Sequence, residues 1–107
     1  MRRGDLVTVA LQGEHGKPRP ALVIQTDIVP DHPSIVVLPL TSTLTSAPML
    51  RIAVEPVPET GLRRLSQVMV DRPIAVRRER LGEVIGRVDD ATLARITRVL
   101  AMWLGIG

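Results

Sequence analysis

The stretch LVTVALQGEHGKPRPALVIQ, residues 6–25, decides the fold class. Leu6–Leu11 and Ala21–Gln25 are short apolar runs with valine or isoleucine at their centres. Side chains branched at Cβ suit the pleated backbone, so both runs predict strands. Between them QGEHGKPRP, residues 12–20, is polar and holds two glycines and two prolines. Such a tract predicts a loop and no helix. Successive strands without an intervening helix argue against a parallel α/β sheet.

The same pattern continues outward. Thr26–Pro33 is a second loop, broken by Pro30 and Pro33, and Ser34–Leu40 is a third strand that runs into the hydroxyl-rich TSTLTS. Leu50–Glu55 is a fourth strand, Pro56–Leu65 a turn region, and Ser66–Val70 and Ile74–Val76 two more short strands. Arg78–Leu81 suggests a helical turn, and Glu83–Val88 a last strand or an extended lead-in. One long helix follows. Asp89 is placed to cap it, Asp90 puts negative charge in its first turn, and Gly105 can close its end. Leu93, Ile96, Leu100 and Trp103 or Leu104 recur at helical spacing. About six short strands before a terminal helix predict a small, strongly bent β-barrel or half-barrel with that helix packed on it.

Composition narrows the function classes. The chain has 107 residues, which suits one domain over residues 1–107. There are no cysteines, which removes disulfides, thiol catalysis and cysteine-based zinc sites and fits a cytoplasmic protein. Two histidines, His15 and His32, are too few for a histidine-rich metal site, and no metal or other cofactor is expected. Lys17 is the only lysine, so arginine carries nearly all of the positive charge in a net +3. Arginine forks match phosphate oxygens, and this mild excess permits nucleic-acid binding without demanding it. Met1-Arg2-Arg3 leads into Gly4-Asp5 and not into an apolar stretch, so no signal peptide is expected. The uncharged run 33–50 contains three prolines and many hydroxyls, which argues against a membrane span.

Three segments place reactive groups just outside apolar strands, where loops on a rigid scaffold aim side chains. In Glu14-His15-Gly16-Lys17-Pro18-Arg19-Pro20, two prolines flank Arg19 and restrict its backbone. The guanidinium is either preset for a phosphate or an ordinary solvated side chain. In Leu38-Pro39-Leu40-Thr41-Ser42, two hydroxyls end a strand, either as donors to a phosphate or base or as turn formers. In Ser66-Gln67-Val68-Met69-Val70-Asp71-Arg72-Pro73, Asp71 is either a base or a salt-bridge partner. Ser42, Lys17, Arg72 and Gln67 are the expected substrate-binding residues in these segments.

In order along the chain, Gly4-Asp5, Arg19-Pro20-Ala21-Leu22-Val23-Ile24, Pro39-Leu40-Thr41-Ser42 and Val70-Asp71-Arg72-Pro73 resemble the MazF/PemK/Kid toxin family. Arg80-Leu81-Gly82 and Ile85-Gly86 before a final helix extend the likeness over nearly the whole chain. The resemblance implies an SH3-like barrel with a C-terminal helix, formed as a homodimer. It implies cleavage of single-stranded RNA or mRNA without a metal, growth inhibition, and silencing by a cognate antitoxin protein. Arg19 and Thr41 fall on the family's active-site arginine and threonine. Ser42 lies beside them, His15 falls on a loop histidine of PemK/Kid-like members, and Asp71 on their acid–base aspartate. Those members carry an arginine two residues before that aspartate, where this chain has Met69.

Metal-free RNA cleavage uses the 2′-hydroxyl as nucleophile, a group DNA lacks. Arg19 holds its proton too firmly to be the base and is assigned to charge stabilisation, with Thr41 and Ser42 as donors. Asp71 or His15 is the base. One rival class rests on the other end of the chain. Ala101-Met102-Trp103-Leu104-Gly105-Ile106-Gly107 resembles the aromatic-Trp-Gly-Ile tail of CcdB-like gyrase poisons, with Leu104 interrupting it. A third alternative is a catalytically silent member that binds RNA or antitoxin only.

Overall fold

A computed structural model describes residues 1–10, 17–46 and 49–106 of the chain. Seven strands precede one long helix. They are β1 (Asp5–Val9), β2 (Arg19–Val23), β3 (Ser34–Thr41), β4 (Arg51–Val54), β5 (Ser66–Met69), β6 (Ile74–Arg77) and β7 (Leu81–Arg87), followed by α1 (Asp90–Leu104). The segment expected as a lead-in is the full strand β7, reached through a 3₁₀ turn at Arg78–Arg80. Seven strands therefore stand where about six were expected. β2 starts at Arg19 and β3 runs to Thr41, so both residues are the terminal residues of strands.

All pairings are antiparallel, in the order β4-β5-β3-β2-β1-β7, with β6 also paired to β3. The long β3 serves β2 along its middle, β6 at its start and β5 at its end. Register shifts in the β1–β7 ladder mark bulges that bend the strands. β4 and β7 end the path, and the loop after β4 spans the gap between them: the Arg87 amide donates to Glu59 O at 2.8 Å. The result is a curled, barrel-like sheet.

Both faces of the sheet centre are covered, which explains why ALVI and IVVL are continuous apolar runs and not alternating ones. Leu6, Leu22, Leu38, Leu40, Ile52 and Val68 face one core, closed by Val88 and Ile96. Their sequence neighbours Val7, Ala21, Val23 and Val37 face a second, with Val76. Helix α1 docks through Leu93, Ile96, Val99 and Leu100. Asp89 caps it by accepting the Thr92 amide at 2.7 Å, and its hydrogen bonds to Thr92 hold the carboxyl below the usual carboxylate range. Gly105 closes it at φ 74°. Trp103 and Leu104, expected on the packing face, are half-exposed with Met102. Nothing among the described residues covers the last turn, because the helix docks through its earlier turns.

Candidate functional site

The two prolines beside Arg19 and the apolar run that follows start β2 at this residue. Its ladder with β3 pairs Ala21 with Pro39, Leu22 with Leu38 and Val23 with Val37. That ladder ends at Ala21 and Pro39, two residues inside the ends of both strands. Thr41 in turn pairs directly with Gln67 on β5, and Arg19 with Val9 on β1. Arg19 and Thr41 thus end two paired strands, with Gln67 beside Thr41 in the row, although 22 residues separate the first two in sequence and 26 the last two.

Local hydrogen bonds shape the row. Thr41 Oγ1 accepts the Thr43 amide at 3.1 Å, which leaves its hydroxyl proton to donate elsewhere. The Gln67 amide grips Thr45 at both ends, accepting from its N–H at 3.1 Å and donating to its carbonyl at 2.9 Å. Gln67 therefore acts on the row by holding the turn after Thr41. Lys17, two residues before Arg19, is exposed.

Beside the row opens a groove of about 570 Å³. Arg19, Pro20, Leu40 and Ser42 form one side; Thr8 and Glu83 contribute from β1 and β7. Opposite lie Gly61, Leu62, Arg63 and Arg64 from the loop between β4 and β5. Sequence reasoning passed over Arg63 and Arg64. An arginine pair in a turn region carries no local signal that separates a groove wall from a solvated loop.

Asp71 belongs to a different corner. It sits in the turn after β5, four residues beyond Gln67 in sequence. Arg51 Nη1 on β4 donates to Asp71 Oδ1 and, at 3.2 Å, to Leu50 O. The two side chains are only 13% and 21% exposed. Arg51 pairs across the ladder with Met69, so the guanidinium beside Asp71 comes from the neighbouring strand. Arg72 is exposed in the same turn, its amide donating to Met69 O. His15 lies outside the described residues. Among the described residues, no group of three or more His, Asp or Glu side chains is arranged to hold a metal, and no helix is long and apolar enough to cross a membrane.

The sequence model for the PemK-like, MazF-like toxins of type II toxin–antitoxin systems matches residues 2–104. The chain is 44% identical over 107 residues to a protein named probable endoribonuclease MazF from Mycolicibacterium smegmatis, covering 99% of this chain and 98% of that one. Among solved structures, the Mycobacterium tuberculosis toxin MazF-mt6 superposes with a TM-score of 0.82 at 21% identity, over 96% of this chain and 98% of that one. A mycobacterial endoribonuclease solved in complex with its cognate antitoxin gives 0.81 at 24%, over 100% and 97%. At such identities the structural matches speak for the fold.

Proposed function

The chain belongs to the PemK-like, MazF-like toxins of type II toxin–antitoxin systems, and from that premise we propose that it is an endoribonuclease that cuts single-stranded RNA without a metal. The observation that carries the proposal is the open groove lined by Arg19 and Ser42, where β2 begins and where β3 ends at Thr41. A phosphodiester lying there meets a guanidinium and a hydroxyl from opposite strands, with Ser42 on the groove wall.

The chemistry follows from these groups. A base takes the proton of the 2′-hydroxyl, the 2′-oxygen attacks the adjacent phosphorus, and the bond to the 5′-oxygen breaks. That oxygen is then protonated, leaving a 2′,3′-cyclic phosphate and a 5′-hydroxyl. Arg19 stabilises the negative charge that grows on the phosphorane, and Thr41 and Ser42 donate hydrogen bonds to it. Of the two base candidates, His15 precedes Arg19 by four residues in sequence, and an imidazole changes protonation near neutral pH. Asp71 is already engaged by Arg51 and sits at the far end of β5. We therefore assign proton removal to His15.

The natural partner in this proposal is a cognate antitoxin, the active form a homodimer, and the compartment the cytoplasm. One observation favours a gyrase-poison alternative: Met102, Trp103, Leu104 and Ile106 are all about half-exposed or more. Two assays separate the classes. Labelled single-stranded RNA in EDTA is expected to be cut with the cyclic-phosphate end. Gyrase-dependent DNA cleavage without RNA cleavage would replace the ribonuclease with the poison.

A further inference from the structure

The loop between β4 and β5 is held far more firmly than a connection of this kind requires. Thr60 is 6% exposed, and its Oγ1 faces the Glu55 and Val57 carbonyls at 2.8 and 3.0 Å while accepting the Val57 amide at 3.2 Å. The Glu59 carbonyl is tied to the Arg87 amide. Gly61, at φ +68°, packs so closely on β7 that a Cβ there would lie 1.9 Å from Ile85 O. A Cβ on Gly86 would lie 2.2 Å from the Thr60 carbonyl carbon. Only glycines permit this backbone-to-backbone contact. Leu62 then packs against the main core.

From this anchored base project Arg63 and Arg64, both exposed and neither in a side-chain hydrogen bond or ion pair among the described residues. They line the groove whose other side carries Arg19 and Ser42. Among the described residues that line it are Arg19, Arg63, Arg64 and one carboxylate, Glu83. The groove volume falls in the range of pockets that hold small organic ligands, which suits one nucleotide and its phosphate.

We propose that Arg63 and Arg64 form a second phosphate-binding wall, which grips the RNA backbone next to the phosphate held by Arg19 and Thr41. It rests on the ribonuclease proposal above. The strand then runs across the groove toward the β4–β5 loop and away from the Asp71 corner. A rigid loop suits this task, because little ordering entropy is lost when the strand binds.

The test compares wild type with Arg63→Gln/Arg64→Gln and, as control, Arg98→Gln, exposed on α1 and outside the groove lining. The probe is the all-deoxy analogue of an RNA segment spanning a mapped cut, which binds but lacks the attacking hydroxyl. The double variant is expected to bind about tenfold more weakly at low salt. Its slope of log affinity against log salt should shrink by about 1.4, the value for two lost single-strand phosphate contacts. On RNA, KM should rise while kcat holds, and the melting temperature should stay unchanged. Unchanged affinity and slope in the double variant, or an equal loss in Arg98→Gln, would overturn the proposal. Wild-type protein that cuts no RNA would instead bring down the ribonuclease assignment itself.

Discussion

The two ends of β5 bear the same kinds of residue in opposite circumstances. At one end Gln67 continues the row of Thr41 and exposed Arg19 beside an open groove. At the other, Asp71 and Arg51 close on each other, both mostly buried. Arg19 is exposed and lines the groove, so a ligand there can reach its guanidinium. An arginine already paired with a carboxylate inside the fold has its charge answered there. The contrast teaches that polar residues at a strand end become a candidate site only once the partner of each is known.

The sharpest way to break the contrast is Arg19→Ala. Cleavage is expected to fall about 10²–10³-fold in kcat, as for loss of one transition-state donor. A wild-type rate on single-stranded RNA would dissolve the row as an active site. Thr41→Ala should cost about tenfold, the worth of one hydrogen bond.

The Asp71 corner should behave as structure. Asp71→Asn is expected to stay within about threefold of wild type in cleavage, since Arg51 already engages this carboxylate and the proposal gives proton removal to His15. A hundredfold loss would move the base from His15 to Asp71. Arg51→Met should lower stability by about 1–2 kcal/mol in denaturant titration, because it strands a mostly buried carboxylate. Adding Asp71→Asn should recover most of that loss, and no recovery would show that packing of the arginine stem was what mattered.

The smallest effect belongs to the helix cap. The Asp89 carboxyl is held below its ordinary range in the folded chain, so its contribution is present above the unfolded carboxylate range. It is lost as pH falls through the lower folded value. The melting-temperature gap between wild type and Asp89→Ala should be full at pH 6 and narrow below about pH 4. A gap that persists at pH 2 would deny the carboxylate its role.

How much was legible follows from how local each signal is. The strands, the polar loops, the cap at Asp89 and the close at Gly105 are readable because their causes act over a few residues. Branched side chains, proline, glycine and capping carboxylates bias the chain where they stand. The family likeness singled out Arg19 and Thr41, and chain position alone set them at strand ends.

That their strands are neighbours was decided only in the tertiary structure. The register of β2 on β3 comes from which residues bury together across the sheet, not from any property of residues 19 or 41. Met69 in the sequence suggested a missing arginine. Only the β4–β5 ladder revealed that Arg51 supplies the guanidinium to Asp71. Arg63 and Arg64 read as loop until the close approach of Gly61 and Gly86 set them on a groove. Trp103 had the spacing of a packing residue, yet α1 docks through its earlier turns and leaves it half-exposed. Sequence by itself determined which elements form and where they stop, because those choices are made by near neighbours. Tertiary structure alone decided which charges face each other and which face open space, because those distances are set by pairing between segments far apart in the chain.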